Sequence, residues 1–346
     1  MSVREITCIL VSWRDEDDLP DAIESLARAR GLLVGGGPEL SLVLVENGGS
    51  RLDPSAIRAH WPDAAVLRNP ENLGFGPAAN RAASVAAGDV LLFLNPDTRA
   101  EGEPFSPIAR AFETNPDVVA VAPRLIEMDG AETDAGARPL AAPGREDQWT
   151  FQLRHLPRLG DDARELLLID HLWPNNPWRR RSRYAESARR QPFSVEQAAA
   201  AALAVRAGVF RRLGGFDERY VPAWYEDVDL CDRLRREGTI LFLPGACFRH
   251  RGGAAASRLG YARFLPVLYR NALRYRRDRY GALARLAYRT LLSAGMVLRL
   301  GALPLRPDVP RSRVEAARAY LAVLSLALGL SRPDRKSQIT NHKSHG

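Results

Sequence analysis

The chain runs to 346 residues, with 46% hydrophobic and 26% charged side chains and a formal net charge of +8. This excludes a disordered or fibrous chain, and the length suits one large α/β domain with an appendage, or two domains. Three widely spaced cysteines, Cys8, Cys231 and Cys247, argue against a disulfide scaffold or a cysteine zinc site and for a reducing, cytoplasmic compartment.

The charge is unevenly divided. Residues 1–250 carry 30 arginines against 37 acids, a balance of −7, whereas residues 251–346 carry 19 basic residues against 4 acids, a balance of +15. No segment reads as an export signal, because the apolar run ITCILVSW at 6–13 is short and is followed by RDEDD. The longest charge-free run near the C-terminus, Ala319–Ser331, would reach only ~20 Å as a helix, short of a ~30 Å hydrocarbon core.

In chain order, ITCILVS at 6–12 predicts a buried strand, and Leu19, Ile23 and Leu26 mark the apolar face of a helix after it. SLVLVE at 41–46 is a second strand stopped by Asn47-Gly48-Gly49, and AAVLR at 64–68 a third. Pro77–Ala87 is an alanine-rich helix, VLLFLN at 90–95 a fourth strand and DVVAVA at 117–122 a fifth. Strands alternating with helices predict a doubly wound, mostly parallel sheet with helices on both faces, whose ligands gather at the carboxyl ends of the strands. Residues 126–194 read as an irregular insertion over that face. After it come the apolar AAAALAVR at 199–206, a helix over Glu226–Glu237, a strand over 239–250 ending at His250, and two or three helices to Leu330.

Few residues stand out chemically. Asn95-Pro96-Asp97 ends the fourth strand, where a carboxylate can hold a divalent cation that bridges a diphosphate; the competing reading is a turn capped by Asp97. Glu226, Asp227 and Asp229 crowd a helix start. Acids commonly stabilise helix N-termini, but their mutual repulsion also raises one pKa towards general-base work, and Trp224-Tyr225 before them suits a sugar ring. His250 is either structural or a metal ligand beside Asp97. NPENLGFGPAAN at 69–80 places Gly74 and Gly76 ahead of a helix N-terminus, close to where a phosphate would sit. The first strand–helix turn has no glycine and four acids, which argues against a dinucleotide oxidoreductase.

Taken together, VSW (11–13), VLVENGGS (43–50), NPENLGFGPAAN, LLFLNPDT (91–98), GGFDERY (214–220), YEDVDLCDRLRREG (225–238) and FRHRGG (248–253) resemble the inverting family 2 glycosyltransferases of the GT-A fold, over roughly residues 5–280. The NLGFG and LNPD forms are most similar to the bacterial rhamnosyltransferase branch. The resemblance implies that Ser12, Glu46 and Asn47 line the nucleotide-base pocket. By the same resemblance Asn72, Gly74 and Asn95 lie along the donor, and Asp97 with His250 holds Mg²⁺ or Mn²⁺. Asp227 then corresponds to the catalytic base, with Trp224 and Glu226 towards the acceptor. The reaction so implied moves a sugar, rhamnose from dTDP-rhamnose by branch resemblance, from a dTDP- or UDP-sugar to a lipid-linked or polysaccharide acceptor. The competing reading is a catalytically silent GT-A domain that binds sugar nucleotide or scaffolds cell-envelope assembly.

The expected organisation is a GT-A domain over 1–255, a basic amphipathic helical segment over 256–331, and a disordered polar tail over 332–346. Tyr261–Tyr280 is arginine-rich with a single acid, Asp278, so this segment is expected to meet an anionic membrane at the inner face of the cell membrane. The bland alternative is packing on the catalytic domain with the arginines in solvent. No nucleic-acid-binding motif is present.

Overall fold

The apolar run Glu5–Ser12 forms β1, a central strand flanked in parallel by β2 (Glu39–Asn47) and β4 (Val90–Leu94), with β3 (Ala65–Asn69) parallel beyond β2. The computed structural model describes residues 2–15, 17–48, 53–128, 152–184, 191–252, 258–305 and 312–330; the tail expected at 332–346 lies outside them. Beyond β4 the sheet continues through β10 (Ala202–Arg206), β6 (Val118–Glu127), β11 (Thr239–His250) and β5 (Thr98–Glu101), while β8 (Phe193–Val195) also pairs with β11. β10 runs antiparallel to β4 and β6, and β6 and β11 are parallel. A separate ladder joins β7 (Leu153–Arg154) to β9 (Gln197–Ala198). The expected mixed α/β architecture with a largely parallel sheet is therefore present, and the antiparallel β10 is its one central departure.

The sheet is buried on both faces, which explains why its strands read as continuous apolar runs. Alternate residues divide between two cores, as the pleat requires. Cys8, Leu10, Leu42, Leu44, Leu92 and Leu94 face α1 (Leu19–Gly31), α2 (Pro54–His60) and α4 (Phe105–Thr114). Ile9, Val11, Val43, Val45, Leu91 and Phe93 face α3 (Phe75–Val85), α8 (Ala207–Arg212) and α9 (Glu226–Leu234). The small side chains of α3, Ala78, Ala79, Ala82 and Ala83, leave room for Phe93, Phe210 and Phe216, whose rings meet 5.0–5.4 Å apart.

The segment expected to be irregular contains short helices: α5 (Leu159–Leu166), α6 (Ile169–Leu172) and α7 (Pro177–Ser182). After β11 come α10 (Tyr261–Ala302) and α11 (Arg313–Leu328). α10 breaks at Gly281, where φ is 86° and ψ −175°, a conformation open to glycine alone at little cost. Its two halves, α11 and Leu166 of α5 share a third core around Tyr288, Leu292, Met296, Tyr320 and Val323. By length and composition, Tyr261–Leu305 would suffice to cross a membrane, although this bend interrupts it. Many of its arginines turn inward: Arg299 donates to the Glu165 carbonyl at 2.7 Å, Arg289 to that of Ala327, and Arg276 pairs with Asp162.

Candidate active site

The parallel register brings the expected donor-side residues to one edge. Ser12 stands opposite Glu46, and Asn47 opposite Asn69. Ser12 is fully buried and its hydroxyl has no hydrogen-bond partner among the described residues. Glu46 accepts an ion pair from Arg68 at 2.9 Å. Asn47 organises the loop after β3: its amide donates to Asn72 Oδ1 (3.0 Å) and the Gly74 carbonyl (3.2 Å), and its oxygen accepts from Asn69 Nδ2 (2.9 Å) and Leu73 N (3.1 Å). Asn72 also caps Gly74 N at 2.8 Å. Gly74 has φ 93°, and a Cβ there would stand 2.9 Å from the Pro222 carbonyl, so this loop and segment 221–225 touch only because position 74 lacks a side chain.

Asp97 follows β4 and His250 ends β11. Both are buried, and the β5–β11 ladder sets His250 opposite Thr98. His250 Nε2 lies 3.4 Å from both Asp97 Oδ1 and Asn95 Nδ2. Gly252 N donates to Asp97 Oδ2 at 3.2 Å. Burial alone would raise the Asp97 carboxyl, but His250 and the backbone donors outweigh it and hold the group below the usual carboxylate range. Two more carboxylates, unassigned at the sequence level, lie in its field. Asp15 is pushed up to about 6 by burial, with Asp97 and Asp18 adding to the push and Trp13 N and Arg258 opposing it. Asp18 is also raised, again by burial first, although Arg251 and Arg258 pair with it. Among the described residues, no three His, Cys, Asp or Glu side chains converge as a metal cluster. Asp97 and His250 still fit a hard or borderline divalent ion whose remaining ligands are water and substrate phosphate, as one carboxylate and one imidazole supply part of such a shell.

On the opposite side, α9 begins at Glu226. Trp224 and Tyr225 before it both adopt left-handed backbone, with φ 71° and 78°. Each such residue costs ~1–3 kcal/mol and persists only where its surroundings impose it. Glu226 is buried, its Oε2 has no hydrogen-bond partner among the described residues, and its Cβ stands 4.0 Å from where a side chain at Gly76 would begin. Burial first, then the Asp227 charge, drives the Glu226 carboxyl well above its ordinary value. Asp227 is raised too, by burial, against its bond from Val228 N (2.8 Å), the charge of Arg154 and a bond from the Ala200 amide. Trp224 sits edge-on to Phe264, ring centres 4.7 Å apart.

The two sides meet through one short segment. Asn95 N donates to the Ala201 carbonyl at 3.0 Å, and Ala200 N bonds Asp227. Asn95, two residues before Asp97, and Asp227 are thus both tied to the backbone of Ala199–Ala201. Arg154 was not singled out by sequence, nor was the alanine run given a role; a row of the smallest side chains just ahead of a strand was the available signal.

With this geometry in place, residues 7–183, just over half of the chain, match the model of glycosyl transferase family 2. The chain belongs to this family. Its curated relatives include N-acetylglucosaminyl-diphospho-decaprenol L-rhamnosyltransferase of Mycobacterium tuberculosis, from strains CDC 1551 / Oshkosh and ATCC 25618 / H37Rv. Each is 28% identical over 289 residues, which is 79% of this chain and 86% of the relative. Among solved structures, a mannosyltransferase from Pyrobaculum calidifontis in complex with GDP-Man and Mn²⁺ has a TM-score of 0.51 at 15% identity, covering 96% of this chain and 82% of that one. GalNAc-T7 with UDP, GalNAc and Mn²⁺ gives 0.50 at 14%, covering 92% of this chain and 54% of that one. The family 2 chain has the GT-A fold and is a glycosyltransferase that uses a nucleotide-sugar donor.

Proposed function

We propose that the enzyme transfers a sugar with inversion by single displacement, with Asp227 as the general base. The observation that carries this reading is a pair of carboxylates driven in opposite directions: Asp97 held below its ordinary range 3.4 Å from His250, and Asp227 raised at the start of α9, where the Ala200 amide bonds it. Asp227 takes the proton from an acceptor hydroxyl as that oxygen forms its bond to the anomeric carbon, and the bond to the nucleoside diphosphate breaks. Asp97 and His250 hold a divalent cation, with Mn²⁺ favoured over Mg²⁺ by the imidazole ligand, and Ser12, Glu46, Asn47, Asn72, Gly74 and Asn95 shape the donor side. Such a cation, when bound, draws off charge that develops on the departing diphosphate. Trp224 and Glu226 face the acceptor.

The donor is dTDP-rhamnose and the acceptor a lipid-linked sugar diphosphate, a reading supported by the Mycobacterium tuberculosis relative's name and the NLGFG and LNPD forms. Cys8, Cys231 and Cys247 are thiols rather than disulfides, which supports a reducing, cytoplasmic setting. Contact with an anionic membrane rests on apolar exposure. Leu283 and Leu305 of the C-terminal segment are 83% and 85% exposed, and Leu172 and Trp173 of the insertion are exposed as well. A thermal-shift panel of nucleotide sugars with and without Mn²⁺, followed by NMR of the product's anomeric centre, tests the reading. A dTDP-rhamnose shift that depends on metal and an inverted product are expected; a retained anomeric configuration rejects the mechanism.

A further inference from the structure

The C-terminal helix reaches into the catalytic loop, and its grip there has a direction. Asn271 of α10 is fully buried, and its Nδ2 donates to two successive carbonyls, Ala223 at 3.0 Å and Trp224 at 2.9 Å. These carbonyls belong to the peptide units leading into the left-handed pair Trp224-Tyr225, immediately before Glu226 and Asp227. The same face of α10 holds the loop at adjoining points: Phe264 against the Trp224 ring, Arg270 on the Val221 carbonyl, Tyr275 against the Tyr225 ring at 5.9 Å, and Arg276 donating to Tyr225 Oη at 3.5 Å. From the other side, Phe75 N donates to the Pro222 carbonyl at 2.7 Å. Segment 221–225 is therefore clamped between the donor loop and α10.

Two consecutive left-handed residues with large side chains persist only where their surroundings impose them, and helix α9 starts at the next residue. A change at either peptide would turn the first residues of α9, and with them the carboxylate of Asp227. Of the α10 contacts, the Asn271 amide is the one that bonds both peptide units entering this pair. We propose that Asn271 is a positioning residue for Asp227: it fixes the backbone of 223–225 and so aims the base. The C-terminal helix is then part of the active site, not only an attachment. The proposal rests on Asp227 being the base.

The test uses the full-length protein with dTDP-rhamnose and a short-chain N-acetylglucosaminyl diphospho-polyprenol as substrates, and dTDP with Mn²⁺ as a separate binding probe. Asn271→Leu removes the donor at similar volume. Its kcat is expected to fall by about tenfold or more, with donor KM and dTDP affinity unchanged within experimental error. Amide hydrogen exchange should quicken over 221–228 and remain parental in β1 and β4. Asn271→Gln, which keeps the amide on a longer arm, should recover part of the kcat. If Asn271→Leu does not fold, Asn271→Gln carries the test alone, with the same split between kcat and KM in a milder form. Parental kcat together with parental exchange at 221–228 in a folded variant overturns the proposal, as does a loss shared equally by kcat and dTDP binding. Asp227→Asn is run in parallel. If it retains transfer, the base assignment itself fails; if it is inactive while the Asn271 variants are parental, only the positioning role fails.

Discussion

Asp97 is buried at a strand end and Asp227 half-buried at a helix start, and their carboxyls are driven in opposite directions. At the strand end, an imidazole 3.4 Å away and the Gly252 amide overcome the cost of burial, so Asp97 stays ionised. At the helix start, burial wins: the amides of Val228 and Ala200 and the charge of Arg154 only partly offset it, and Glu226 stands beside Asp227 as a second acid. Burial alone therefore does not set the charge state; the partner does. An ionised carboxylate suits a cation and a diphosphate, whereas a raised one suits the uptake of a proton.

The sharpest way to break this contrast is to remove the ionised member. Asp97→Ala is expected to abolish the tightening of dTDP binding by Mn²⁺ and to lower transfer by ~10³-fold, the several kcal/mol that a cation supplies to a leaving diphosphate. Binding titrations with and without metal would show it, and undiminished metal dependence would remove Asp97 from the metal site. His250→Ala should be milder, weakening the apparent Mn²⁺ affinity by ~10–100-fold, with activity partly restored at high Mn²⁺.

The raised member is tested by pH. As the proposed base Asp227 would have to be deprotonated, so activity should climb with pH along a limb lying above the ordinary carboxylate range. Arg154 from β7 is the charge that lowers Asp227, while the Asp227 charge in turn raises Glu226 on its own helix and Cys231 one turn on. Removing the favourable charge in Arg154→Gln should move the limb up. Glu226, driven well above its ordinary value by burial and by the Asp227 charge, is still protonated as Asp227 titrates, so Glu226→Gln should leave the limb near its parental position. A limb that moves down in Arg154→Gln would contradict this electrostatic account. The smallest effect concerns the periphery: Leu283→Glu with Leu321→Glu should reduce co-flotation with anionic vesicles several-fold, and leave dTDP binding unchanged.

The positions proposed for the donor side were legible as strand ends because they are built locally. β1, β2 and β4 are unbroken apolar runs that a two-sided sheet demands, and Ser12, Glu46, Asn47 and Asp97 sit where those runs stop. The base side was readable only as a list of residue types. Nothing in WYEDVDLC announces two left-handed residues, because the contact that imposes them comes from Asn271, 47 residues beyond Trp224. The direction of β10 was equally hidden, since an apolar run does not state whether its neighbours are parallel. The arginines of 261–299 looked like a face for solvent or lipid, but Arg270, Arg276, Arg289 and Arg299 are spent on carbonyls and on Asp162. That region exposes leucines, Leu283 and Leu305 among them, beside a smaller set of exposed arginines, Arg263, Arg277 and Arg279.

Asp227→Asn, assayed for donor binding and for transfer in the same preparation, decides whether Asp227 is the base. If it is, dTDP-rhamnose affinity stays within about twofold of the parent and transfer falls by ~10²–10⁴-fold, the usual worth of a positioned general base. Transfer within tenfold of the parent, at normal donor affinity, would contradict it.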